Sequence, residues 1–233
     1  MKRHYLTSIR ALLLGAIISL PTITAYAQDF GKLSRYEADN KVLSMPPQKG
    51  EKRVVFLGNS ITEGWWNHHK DFFQHPGYIA RGISGQTSYQ FLYRFREDVV
   101  NLRPALVIIN AGTNDIAENT CPYDEDRTFG NIQSMVEIAK ANKIKVILTS
   151  VLPAARFGWS KVTDGPVKIK ALNARIQAYA KKNKIPYVNY FDSLVASDGV
   201  SLKAEYTKDG VHPLLPGYQI MESLIVPVIE KTL

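Results

Sequence analysis

The chain has 233 residues, 29 Lys and Arg against 21 Asp and Glu, a formal charge of +8, 45% hydrophobic residues and one cysteine, Cys121. That length and apolar content suit a single α/β domain with a sizeable core. The basic excess is modest and no Lys/Arg cluster is interleaved with aromatics, so nucleic acid is excluded as a partner. A lone cysteine excludes an internal disulfide, and Cys121 reads as a small apolar filler.

At the N-terminus, Lys2, Arg3 and Arg10 accompany an apolar run over 11–20 that Pro21 breaks, and Ala25-Tyr26-Ala27 offers a small-x-small cleavage pattern. This layout predicts a secretory signal peptide over 1–27, with export to a periplasm or the medium. The apolar run is too short to span a bilayer, so no membrane insertion is expected after cleavage. Cutting after Ala27 leaves 206 of the 233 residues and removes three bases, lowering the charge from +8 to +5. Residues 28–52 are polar and close with Pro46-Pro47 and Gly50, which predicts an N-terminal arm carrying a helical turn over 35–40.

From there a domain over 53–233 alternates two patterns. Apolar, β-branched runs predict parallel strands over 53–57, 78–83, 105–110, 144–149 and 185–190. Helical spacing predicts helices over 88–101, 124–142, 166–182 and 215–233, the third opening on Pro166. Strands alternating with helices imply a three-layer α/β/α sandwich around a five-stranded parallel sheet.

In such a sheet, ligands bind beyond the carboxyl ends of the strands. The segments there are Gly58-Asn59-Ser60-Ile61-Thr62-Glu63-Gly64, Gly82-Ile83-Ser84-Gly85-Gln86-Thr87, Gly112-Thr113-Asn114-Asp115 and Asp209-Gly210-Val211-His212-Pro213. Together they supply what acyl transfer needs. A serine hydroxyl requires a base to take its proton, and an imidazole titrates near the operating pH. Ser60 is thus the candidate nucleophile, His212 its base, and Asp209 the group that orients the ring. Backbone N–H at Ser60 and Gly85 and the Asn114 amide are candidate donors to an oxyanion. Taken singly, each segment reads as a turn or helix cap; their joint occurrence, each after its own strand, carries the catalytic expectation.

The same four blocks resemble those of the GDSL/SGNH hydrolase superfamily of serine esterases, lipases and carbohydrate deacetylases. The resemblance runs through the whole mature domain and implies a flavodoxin-like sandwich. It also implies Ser60 as nucleophile, an oxyanion hole of Ser60, Gly85 and Asn114, and Asp209 with His212 completing the triad. Asn59 replaces the family's usual Asp and is expected to affect the hydrogen bonding of the turn. Ile61-Thr62 after Ser60 departs from the G-x-S-x-G elbow of α/β-hydrolases.

No cofactor or metal is expected. His68-His69 with His75 lack an acidic or cysteine partner at a ligand spacing and read as ordinary histidines. Trp65, Trp66, Tyr123, Arg156 and Trp159 follow strands and are candidate walls of a substrate pocket, by stacking on a sugar ring. With no long apolar insertion to act as a lid, the expected substrate is a small-molecule or glycan ester carrying a short acyl group, such as acetyl. An exported O-acyltransferase, a lysophospholipase and a thioesterase are the alternatives.

Overall fold

The computed structural model describes residues 29–233, and the predicted signal peptide lies outside the described residues. After a 3-10 turn at Leu33–Arg35, the chain forms α1 (Glu37–Leu43), β1 (Val54–Gly58), α2 (Ser60–His68), β2 (Tyr78–Gly82) and α3 (Ser88–Asp98). It continues through β3 (Leu106–Ile109), α4 (Thr113–Ile116), α5 (Glu125–Ala141), β4 (Lys145–Thr149) and α6 (Gly165–Lys182). It closes with β5 (Tyr187–Val188), α7 (Tyr190–Leu194) and α8 (Leu215–Thr232).

The five strands are all parallel, in the order β2-β1-β3-β4-β5. Strand side chains alternate between faces, so each strand feeds two cores. Val55, Leu57, Val107 and Ile109 pack with Phe91 and Phe95 of α3, Ile132 and Met135 of α5, and Leu172 of α6. Val54, Phe56, Leu106 and Ile108 pack against Ile61 and Trp65 of α2 and Tyr218, Met221 and Ile225 of α8. Burial on both faces is why these strands read as continuous apolar runs rather than alternating ones. The expected three-layer sandwich is therefore the observed one. The chain leaves β1 toward β2 on one side and returns to β3 on the other. That reversal opens a crevice at the carboxyl ends of β1 and β3.

Three elements differ from expectation. β5 spans two residues rather than 185–190. Asn189 ends it by capping α7, its side chain accepting the Asp192 N–H at 3.3 Å, and Tyr190 turns into the core. α3 stops at Asp98, and Val100–Leu102 form a separate 3-10 turn that ends at Arg103 in the left-handed region. The segment after β1, read only as a helix start, is a nine-residue helix.

The arm is bonded to the domain beside β2. Tyr36 donates its hydroxyl to the Gly82 carbonyl at 2.5 Å, and the Gln86 amide donates to the Gly31 carbonyl at 2.8 Å. Asn40 bridges Asp98 at 2.6 Å and the Arg81 guanidinium at 2.8 Å. No helix among the described residues is long and apolar enough to cross a membrane.

Candidate active site

Ser60 is the first residue of α2. The side chain of Asn59 caps that helix by accepting the Ile61 N–H at 2.9 Å, so Asn supplies here the acceptor that an Asp would. The first turn of α2 lies directly on the end of β2. A β-carbon at Gly82 would sit 2.2 Å from the Glu63 nitrogen and 2.7 Å from the Thr62 carbonyl carbon, so only glycine permits this backbone approach.

The loop before α8 brings in the imidazole. Ser60 Oγ lies 2.8 Å from His212 Nε2, and His212 Nδ1 lies 2.6 Å from Asp209 Oδ2. The second oxygen of Asp209 accepts the backbone N–H of Val211 at 2.9 Å and of His212 at 2.8 Å, and the Thr207 hydroxyl at 3.2 Å. Burial alone would raise the Asp209 pKa, but these donors and the ring outweigh it and hold the carboxyl at about 2. An ionised carboxylate only accepts, so the Nδ1 proton goes to Asp209. The Nε2 lone pair is then left for the Ser60 hydroxyl.

Gly85 and Asn114 follow the neighbouring strands. The N–H groups of Ser60 and Gly85 have no acceptor among the described residues. Asn114 is buried and donates one amide hydrogen to the Gln86 carbonyl at 2.9 Å, which leaves its second for a ligand. A hydroxyl paired to a ring nitrogen and N–H groups near one carbonyl oxygen can together carry acyl transfer.

The five candidate wall residues separate. Trp159 is 49% exposed, its ring is 5.9 Å from that of His212, and it borders a cleft of about 610 Å³ with Gly85, Ala117, Glu118, Asn119, Ser160 and Lys161. Arg156 is exposed on the same connection. Trp65 belongs to the core instead. It is 3% exposed, stacked on Phe72 and Tyr218, with its indole donating to Glu222 at 2.8 Å. The helical period explains this, since Ile61, Thr62 and Trp65 form the buried face of α2. Trp66 points elsewhere, into a separate hollow with Arg35, Tyr36 and Gly77 along the edge of β2. Tyr123 packs on the core with its hydroxyl buried and its ring facing Lys168. Among the histidines, His69 does have an acidic partner, Glu222, at 2.7 Å, supplied by α8 and invisible to local spacing.

Two supporting residues went unread in the sequence. Arg94 is fully buried and donates to the carbonyls of Gly58 and Arg81, both at 2.9 Å, to the Gln86 side chain at 2.6 Å and to Asp98 at 2.7 Å. It thereby ties the turn before Ser60 to the loop after β2. Its only sequence trace is an i,i+4 pair with Asp98, which resembles an ordinary surface pair. Asp115 accepts the Ser88 N–H at 3.0 Å and hydroxyl at 2.5 Å, joining α4 to the start of α3. Burial outweighs those bonds and pushes its pKa up to about 6.

A parallel sheet ordered 2-1-3-4-5, with a serine, an imidazole and a carboxylate in series at its carboxyl edge, defines a flavodoxin-like hydrolase. The comparison with known proteins narrows this. Residues 56–220 match the sequence model of the GDSL-like Lipase/Acylhydrolase family, and the chain belongs to that family. It is an esterase/acylhydrolase and hydrolyses ester bonds. A crystal structure of a GDSL-like lipase from Bacteroides thetaiotaomicron is 64% identical, with a TM-score of 0.85, covering 88% of this chain and 100% of that one. Esterase TesA of Pseudomonas aeruginosa is 26% identical over 229 residues, 97% of this chain and 100% of its own. The acetylxylan esterase Axe2 of Geobacillus stearothermophilus shares the fold at 18% identity and a TM-score of 0.61, over 76% of this chain and 93% of its own.

Proposed function

We propose that the chain is an exported serine esterase that removes short acyl groups, acetyl above all, from a carbohydrate or similar polar alcohol. The observation that carries the serine mechanism is the continuous Ser60–His212–Asp209 chain, with contacts of 2.8 and 2.6 Å. Ser60 Oγ attacks the ester carbonyl while its proton passes to His212 Nε2. Asp209 steadies the resulting imidazolium. Negative charge on the former carbonyl oxygen is met by the N–H groups of Ser60 and Gly85 and by the Asn114 amide. The bond to the alcohol oxygen then breaks, and that oxygen takes the proton from His212. Water repeats the route on the acyl-enzyme, releasing the acid and restoring Ser60.

The substrate class rests on the cleft beside Gly85. Asn119, Glu118, Ser160 and Lys161 make it polar, and Trp159 adds one half-exposed aromatic face. Such a lining suits a hydroxylated ring better than a long alkyl chain. Export rests on the charge and cleavage pattern of residues 1–27. Ser60→Ala should abolish turnover of a chromogenic acetyl ester while the variant keeps its circular dichroism and melting temperature. Full activity in that variant would reject the mechanism. An acyl-chain series should show kcat/KM falling beyond acetyl and propionyl, and acetylated polysaccharide should release acetate. A rising series would reject the substrate class.

A further inference from the structure

The turn that carries Gly85 lies between β2 and α3 and is exposed at Ser84 and Gly85. Gly85 sits at φ +80°, and no atom approaches within 4 Å of the place a β-carbon would occupy. Gly85 therefore has no side-chain packing of its own between the buried Ile83 and Gln86, and hydrogen bonds aim it. While Asn114, Arg94 and Gly31 hold the neighbouring Gln86, two other residues bond Ser84 and Gly85 themselves. Glu63, three positions after Ser60 on α2, takes the Ser84 N–H at 2.8 Å and the Ser84 hydroxyl through one oxygen; its other oxygen pairs with Arg35 at 3.2 Å. Asn119, just past α4, donates its amide to the Gly85 carbonyl at 3.2 Å and accepts the Trp159 indole N–H at 2.8 Å. The Asn119 backbone N–H also donates to the Asn114 carbonyl at 3.0 Å.

We propose that Glu63 and Asn119 are positioning residues that clamp the 84–85 turn from both ends and so aim the Gly85 N–H at the ester carbonyl oxygen. The inference rests on the Ser60 mechanism above and adds to it what sets the second donor. Two successive amides of the turn compete to face the crevice. Glu63 occupies that of Ser84, so that of Gly85 is the one presented. Because Glu63 and Ser60 share the first turn of α2, the Ser60 and Gly85 donors move as one body. Asn119 joins the third donor, Asn114, to the same assembly. Burial would raise the Glu63 pKa, but the Ser84 donors and Arg35 outweigh it and lower it, which favours the ionised, purely accepting carboxylate.

The test compares Glu63→Ala, Glu63→Gln and Asn119→Ala on a chromogenic acetyl ester, with Ser60→Ala as control. Removing an oxyanion donor costs roughly 100- to 1000-fold, so misaiming one should lower kcat about 10- to 100-fold with KM within about twofold. Glu63→Gln keeps one accepting oxygen and should lose roughly 3- to 10-fold. The double variant Glu63→Ala/Asn119→Ala should level off near roughly 1000-fold, since both residues serve the same N–H. Should Glu63→Ala fail to fold, Glu63→Gln and Asn119→Ala carry the test. Lower melting temperatures with kcat per folded molecule within about twofold of the parent would overturn the clamp while leaving the Ser60 mechanism standing. An active Ser60→Ala variant would overturn that mechanism and the clamp with it.

Discussion

Replacing Asp115 with Asn should change how stability depends on pH. Asp115 is 4% exposed, and its pKa stands at about 6 against an ordinary value of 3.8. Well below pH 3.8 the carboxyl is protonated in both folded and unfolded chains and burial penalises neither. Above pH 6 it is ionised in both, and the folded chain bears the cost of the buried charge. Between these limits the folded state binds more protons, so this carboxyl makes the protein less stable as pH rises. A shift of about two pKa units corresponds to about 3 kcal/mol. Asn keeps one oxygen to accept from Ser88 and does not titrate. Urea denaturation at pH 4, 5, 6 and 7 should therefore show the variant gaining about 3 kcal/mol on the parent across that range, with m-values unchanged. A parent–variant difference that stays constant from pH 4 to 7 would refute the reasoning.

Three further substitutions probe the site and its surroundings. Asp209→Asn keeps an acceptor for the Val211 and His212 N–H groups but turns an amide donor toward His212 Nδ1. The ring proton would then sit on Nε2, facing Ser60, and kcat should fall on the order of 1000- to 10000-fold; pH–rate profiles with less than tenfold loss would contradict this tautomer argument. Because the Asp209 carboxyl is held at about 2, its stabilising bonds persist above pH 4 and are lost only as pH falls through about 2, so acid inactivation near pH 4 to 5 should have another origin. Trp65→Ala should cost about 3–5 kcal/mol of stability by emptying the core beside Phe56. Trp159→Ala should cost under about 1 kcal/mol yet lower kcat/KM on acetylated polysaccharide more than on a small acetyl ester. Thermal melts beside both assays separate the two tryptophans.

Much of this molecule was legible in the residue order alone. A parallel strand buried on both faces must be apolar throughout, so the runs around Val54, Leu106 and Lys145–Thr149 announced the sheet without ambiguity. The blocks holding Ser60, Gly85 and Asn114 each closely follow a strand, and the block holding His212 directly precedes α8. Short-range pattern thus assigned them to the sheet's carboxyl edge and to one family. The short β5 and the two-part end of α3 were not legible, because the Asn189 cap ends the first and a backbone turn at Val99 ends the second, and neither interrupts the apolar periodicity. Only tertiary structure could decide the rest. Trp65 and Trp66 are adjacent in the chain, yet helical rotation sends one into the core and the other to the surface. Arg94, Glu63, Asn119 and Glu222 are ordinary polar residues by position. What each does depends on partners between Arg35 and Trp159, most of them distant in sequence, and hydrogen bonds of 2.6–3.2 Å become visible only once the chain is closed upon itself.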